Sequence, residues 1–178
     1  MLIGLCIKID SEGPIFYRDI RTGLNFEPFK IFKFRTMFHN EDDIGVPVTS
    51  KNDPRMTRSG QILRKYKLDE LPQLINVLKG DMSLVGPRPE VPLYTSLYTK
   101  DEASILSIRP GITDYSSIEF VQLGDVLGPD DNASLFEDQI KKVLDRKIEL
   151  RMKYLKEMSF LVDIKIIFKT FVKLIRSF

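Results

Sequence analysis

The sequence predicts an α+β fold, mainly helical, built as a single domain over residues 1–178 with an N-terminal β-hairpin and amphipathic membrane-interface helices. Three observations carry this expectation. Aromatic and β-branched runs near the N-terminus have the composition of paired strands. Much of the remaining chain spaces its apolar residues helically. A chain of 178 residues with 43% hydrophobic content buries one core but is short for two.

The elements follow in order. Met1-Leu2-Ile3-Gly4-Leu5-Cys6-Ile7 is apolar from its first residue and stops at Lys8-Ile9-Asp10, like the end of a longer hydrophobic segment or a short buried helix. No run reaches the roughly 18 apolar residues of a spanning helix, and no secretory signal is visible. The single cysteine, Cys6, rules out an internal disulfide framework and suits a reducing compartment. Ile15-Phe16-Tyr17 and Phe29-Lys30-Ile31-Phe32-Lys33-Phe34 flank a turn-like Thr22-Gly23-Leu24-Asn25 and predict the hairpin. Phe32 and Phe34 alternate with Lys33 and Arg35, so one face packs while two cations project from the other. A polar loop from His39 to Asp53 precedes a helical pattern starting near Ser59-Gly60-Gln61-Ile62-Leu63. The only histidine, His39, lies in that loop, which leaves histidine-based triads and metal clusters poorly supported.

Leu68 to Gly80 shows helical spacing with Pro72 in its first turn and Gly80 as a stop, so Asp69 and Glu70 fall at a helix start. Free backbone N–H groups there favour anions, whether capping carboxylates or phosphates. In Gly86-Pro87-Arg88-Pro89 two prolines restrain the backbone around an arginine, as bidentate phosphate recognition requires. Arg109 precedes Pro110-Gly111-Ile112-Thr113 in a comparable setting, and either arginine also suits an ordinary ion pair in a turn. A Gly-, Pro- and Asp-rich loop over Gly124 to Asn132 leads into a charged helical pattern from Leu135 to Glu157. In residues 159–178, Lys165, Lys169, Lys173 and Arg176 share one helical stripe opposite Phe160, Ile164, Ile167, Phe168, Phe171, Leu174, Ile175 and Phe178. That pattern fits a helix in an anionic membrane interface and equally a helix packed on the core.

Lys33-Phe34-Arg35-Thr36-Met37, Leu68-Asp69-Glu70-Leu71-Pro72-Gln73, Asn76 to Ser83, Gly86-Pro87-Arg88-Pro89 and Arg109-Pro110-Gly111-Ile112-Thr113 occur in that order. With these motifs the chain resembles the bacterial sugar transferase family, the monotopic phosphoglycosyl transferases. The resemblance implies transfer of a sugar 1-phosphate from a UDP-sugar to a polyprenol phosphate at the cytoplasmic face of the bacterial inner membrane, an early step in surface polysaccharide synthesis. It implies Asp69 as nucleophile, forming a covalent aspartyl phospho-sugar, with Glu70 assisting and Mg²⁺ near the pair. Lys33, Arg35, Arg64, Arg88 and Arg109 become the candidate phosphate-binding cations, because splitting a diphosphate requires neutralising the departing phosphate.

Residues 1–10 would then be the remnant of a membrane-dipping segment. Two positions depart from the family pattern: Asp114 where many members have glycine, and Arg151 where many place an aspartate. A truncated, non-catalytic homologue that binds a membrane or a partner is the alternative. The net charge of +2, from 27 basic and 25 acidic residues, argues against a nucleic-acid module, as does the acidic 39–53 loop.

Overall fold

A computed structural model describes residues 2–38, 53–120 and 133–176. The 124–132 loop, most of the 39–53 loop and Phe178 lie outside the described residues. Helices and two two-stranded sheets give the expected mixed architecture. The chain forms two compact units, one of Met1–Asp19 and Lys30–Asn76, the other of Ile20–Phe29 and Val77–Phe178.

In the first unit, α1 (Leu2–Asp10) buries Gly4 and Ile7 while Leu2, Leu5 and Ile9 stay exposed. Its last residue reaches α2 (Arg58–Lys65): Asp10 Oδ2 accepts from Ser59 N at 2.7 Å and from Ser59 Oγ at 2.8 Å. These bonds satisfy amide and hydroxyl groups at the helix start and hold the Asp10 carboxyl below its usual range. Thr57 caps the same end by accepting from Gly60 N at 3.0 Å. Gly60 sits so close to the Thr36 carbonyl that a Cβ would collide with backbone, which makes glycine obligatory there.

Strands β1 (Phe16–Thr22) and β2 (Pro28–Phe34) pair around a 3₁₀ turn over Leu24–Phe26, where Asn25 and Phe26 adopt φ of 52° and 67°. The predicted hairpin is present, but its faces are reversed. Ile31 and Arg35 are buried and Lys33 is partly so. Phe32 and Phe34 stand on the other face, where they cover one another with Phe16. The Phe16 ring meets Phe32 edge-on at 5.8 Å and stacks on Phe34 at 5.6 Å, while the Arg18 guanidinium lies 3.9 Å above Phe32. Self-coverage of the aromatics leaves the inner face to Ile31 and to cations that find oxygen partners there.

Leu68 to Gly80 is not one helix. Leu68–Glu70 is a 3₁₀ turn, and α3 (Gln73–Lys79) begins only after Pro72, which has no N–H to continue an i→i−4 ladder. Asn76 of α3, fully buried, accepts from Phe32 N at 2.9 Å and donates to the Lys30 carbonyl at 2.9 Å. One side chain thus serves two backbone groups of β2 on either side of Ile31, and Lys33 follows directly.

The second unit holds a parallel pair, β3 (Ser83–Val85) with β4 (Gly111–Thr113), in register Ser83 to Gly111 and Val85 to Thr113. Three-residue strands carry no readable periodicity, so the sequence does not announce this pair. Gly86 and Gly111 approach so closely that a Cβ on either would strike the other strand's backbone. Around the pair lie α4 (Pro92–Thr95), a 3₁₀ segment over Glu102–Ser107, α5 (Tyr115–Glu119), α6 (Ala133–Glu157) and α7 (Phe160–Arg176). Val85, Tyr154 and Ile166 form the core, with Ile108, Tyr115, Ile118 and Val162 against it. Helix α7 presents three sides rather than two. Ile166 is fully buried, and beside it Thr170 Oγ1 shares a 2.6 Å hydrogen bond with Thr113 Oγ1. Phe160, Leu161, Ile164, Ile167, Phe168, Phe171 and Ile175 remain exposed, beside the stripe of Lys165, Lys169, Lys173 and Arg176. No described helix is long and apolar enough to cross a membrane.

Replacing Asn76 by alanine strips Phe32 N–H and Lys30 C=O of their partners at once. The expected cost is about 2–6 kcal/mol, from one to three for each polar group left unsatisfied. A denaturation midpoint that does not move would contradict the bracing role.

Candidate active site

The 3₁₀ turn that carries Asp69 and Glu70 is introduced by Lys67 in a left-handed conformation, φ 53° and ψ 23°. A non-glycine residue in that region marks a turn held by its surroundings. The reversal presents both carboxylates beside the inner edge of β2. Lys33 Nζ contacts Glu70 Oε1 at 2.9 Å, with the two side chains 21% and 19% exposed. This is a half-buried ion pair, less screened than a surface one.

Asp69 is in a different state. Its Oδ1 is buried with no hydrogen-bond partner among the described residues. Burial pushes its carboxyl above the ordinary range, the neighbouring Glu70 charge adds to this, and Lys33, Arg64 and Lys67 pull the other way. Two adjacent carboxylates are therefore differentiated: Glu70 is tied to a lysine, and Asp69 is held desolvated and uncommitted. Arg64 is oriented by its Nε, which donates to Thr36 Oγ1 at 3.0 Å.

Arg35, expected among the phosphate-facing cations, has another task. It is 5% exposed and donates through Nη1 and Nη2 to the main-chain carbonyls of Glu12 and Ser11, so it fixes the segment after α1. The inner-face position forces this outcome, since a buried guanidinium must find acceptors. Lys33, Arg64, Asp69 and Glu70 are thus gathered in the first unit. Arg88 and Arg109 belong to the second. Arg88 N–H donates to Asp114 Oδ2 at 3.3 Å, and Arg109 Nε donates to the Gly80 carbonyl at 2.9 Å, at a glycine with φ of 82°.

Among the described residues no group of three or more His, Cys, Asp or Glu side chains could hold a metal ion. The Asp69-Glu70 pair nevertheless suits Mg²⁺, which takes one or two carboxylates together with substrate phosphates rather than an all-protein cage. The unsatisfied Asp69 Oδ1 is the observation that favours such a ligand.

The chain matches the family profile described as bacterial sugar transferase over residues 1–177. It belongs to the bacterial sugar transferase family. Relatives of this chain include the UDP-glucose:undecaprenyl-phosphate glucose-1-phosphate transferase of Escherichia coli strain K12, 37% identical over 174 residues that cover 96% of this chain and 35% of that protein. The undecaprenyl-phosphate glucose phosphotransferase of Komagataeibacter xylinus is 39% identical over 176 residues, with 95% and 31% covered. The exopolysaccharide production protein PSS of Rhizobium leguminosarum bv. phaseoli is 37% identical over 180 residues, with 97% and 83% covered. The chain spans about a third of the length of the first two relatives and most of the third.

The sequence singles out the four residues gathered here but not those that hold the candidate site in shape. Lys67 looks like any surface lysine until its φ is known, and Thr36 and Asn76 act through tertiary contacts that no local pattern encodes. The raised Asp69 carboxyl has a measurable consequence. An acid whose folded-state pKa lies above its unfolded value stabilises the fold only while protonated, and that contribution is lost as pH rises through the folded pKa. Asp69→Asn is therefore expected to raise Tm at neutral pH, with the gain over the unsubstituted chain shrinking as the pH falls toward the ordinary aspartate range of about 3.9. A lower Tm for the variant at neutral pH would mean that the carboxylate is well solvated or paired.

Proposed function

We propose that this chain carries the catalytic centre of a phosphoglycosyl transferase that moves a sugar 1-phosphate from a UDP-sugar to a polyprenol phosphate, releasing UMP. The observation that carries the reading is the asymmetric carboxylate pair: Glu70 held by Lys33, and Asp69 half-buried with an uncommitted oxygen. Family membership supplies the reaction class, and the names of the relatives supply the donor and acceptor types.

In this reading an Asp69 carboxylate oxygen attacks the sugar-linked phosphorus. The bond from that phosphorus to the bridging oxygen breaks, and UMP departs with the bonding pair. An oxygen of the polyprenol phosphate then attacks the same phosphorus, the aspartyl–phosphorus bond breaks, and Asp69 is regenerated with release of the polyprenol-diphosphate sugar. Covalent catalysis divides one difficult transfer into two displacements. Desolvation makes Asp69 more basic and a better nucleophile, while Lys33 and Arg64 offset the repulsion between a carboxylate and an anionic phosphate. Glu70, held by Lys33, keeps the turn oriented. Mg²⁺, held by the Asp69-Glu70 pair and the donor's phosphates, would neutralise charge on the leaving nucleotide. Arg88 is assigned to the donor's phosphates by its motif and its fixed backbone.

The lipid acceptor and the cytoplasmic face of the bacterial inner membrane are supported by α7, whose exposed aromatic and aliphatic stripe lies beside four cations. Arg109 lines an open groove of about 570 Å³ together with Leu84, Phe160, Asp163, Ile164 and Ile167; the cation and apolar wall suit a lipid phosphate, and the Asp163 carboxylate accepts from the Tyr154 hydroxyl.

Purified protein with Mg²⁺, polyprenol phosphate and a panel of UDP-sugars should release UMP from at least one donor. Asp69→Asn is expected to lower that rate on the order of 10³-fold or more, as loss of a covalent nucleophile does. Full activity in this variant would refute the nucleophile assignment.

A further inference from the structure

Arg151 and Asp114 are neighbours in the second unit. Both are buried, at 2% and 0% exposure, and Arg151 Nε stands 3.9 Å from Asp114 Oδ2. Arg151 Nη2 donates to Glu90 Oε1 at 2.6 Å, and Nη1 to the Tyr98 hydroxyl at 3.3 Å. The Asp114 carboxylate accepts from Ser117 N at 2.6 Å, from Ser116 Oγ at 2.8 Å and from Arg88 N at 3.3 Å.

These contacts converge on one short segment. Pro87 C=O accepts from Gly111 N at 3.0 Å, Arg88 N–H is held by Asp114, Glu90 C=O accepts from Thr22 N at 2.9 Å, and the Glu90 side chain is held by Arg151. Pro87 and Pro89 further restrict φ on either side of Arg88. Lys147, four residues before Arg151 on α6, lends positive charge to the same cluster, and burial lowers its ammonium pKa. Burying an arginine and an acid, with a second acid half-buried beside them, is a costly way to stabilise a fold, since apolar side chains of similar volume do as well or better. What the ionic cluster adds is direction: each member bonds to the Arg88 segment or to a residue that does.

We propose that Arg151 is a positioning residue, and that the Arg151-Glu90-Asp114 cluster sets the backbone course of residues 87–90 and with it the aim of the Arg88 side chain. The inference rests on the reading above in which Arg88 binds the donor's phosphates, and it accounts for Asp114 and Arg151 as one compensated pair. Asp114 brings a buried negative charge against the Arg88 amide, and Arg151 supplies the buried positive charge that this requires.

The test is calorimetric titration of the full chain with UDP in the presence of Mg²⁺, for the unsubstituted protein, Arg151→Lys, Arg151→Met, Arg88→Ala and Arg88→Ala/Arg151→Met. Should Arg151→Met fail to fold, the lysine variant alone and combined with Arg88→Ala gives the same comparison, since it keeps the charge and loses only the fork of donors. A displaced Arg88 should raise the UDP Kd on the order of 10- to 100-fold. The double variant should bind no more weakly than Arg88→Ala alone, because both changes remove one function. A merely structural role would lower the number of binding-competent molecules and leave Kd unchanged. An unchanged Kd in a folded Arg151 variant, or losses that multiply in the double variant, overturns the positioning role and leaves the transfer reading intact. The predicted pattern of Kd values without UMP release from any UDP-sugar would overturn the transfer reading and sustain the positioning role.

Discussion

The contact between Lys33 and Glu70 is the constraint from which the rest of the candidate site follows. It commits one of two adjacent carboxylates and so lets the other differ. Without it, two neighbouring acids in a half-buried turn would share protons and repel each other, and neither would have a defined role. With it, Glu70 is anchored and the burial of Asp69 becomes a chemical property. The contact in turn requires the reversed hairpin, because Lys33 must point inward. That orientation is set by Ile31, two residues earlier on the same face, and by Asn76, which ties the Lys30 and Phe32 backbone to α3. Pro72 completes the arrangement by breaking the helix, so the carboxylates ride on a tight turn rather than a helical face.

The second unit solves a related problem by the opposite means. Where the first keeps one carboxylate oxygen unsatisfied, the second pairs its buried charges and uses them to fix a backbone segment around an arginine. An uncommitted buried acid is a store of reactivity, and a buried ion cluster is a device for placement. Helix α7 adds a third kind of surface, apolar and exposed next to a cationic stripe. It is anchored by Ile166 and Thr170 to the core and to β4. A helix seated that way keeps its outer stripe facing outward instead of rotating it into the core.

Much of this was legible in the sequence because the signals were local. The turn at Thr22-Gly23-Leu24-Asn25, the helical pattern near Ser59, the Asp69-Glu70 pair and the cationic stripe of α7 all declare themselves within a few residues. What was not legible depended on contacts between distant segments. Lys33 and Arg35 alternate with phenylalanines, and alternation alone does not say which side is the core. The rule that aromatics go inward failed because Phe16, Phe32 and Phe34 cover each other. Arg35 then met main-chain carbonyls of Ser11 and Glu12 instead of a phosphate. The pairing of β3 with β4 escaped because each strand is three residues long. Arg151 looked like an isolated oddity until its guanidinium was found between Glu90 and Asp114.

In the proposed reaction Asp69, and not Glu70, becomes covalently loaded. Intact-mass spectrometry of the protein after incubation with Mg²⁺ and a panel of UDP-sugars, without acceptor, tests it most directly. The expected result is a mass increase equal to one sugar phosphate, located to Asp69 by fragmentation and absent from Asp69→Asn. An adduct on Glu70 or on any other residue, or UMP release with no adduct under rapid quenching, would contradict it.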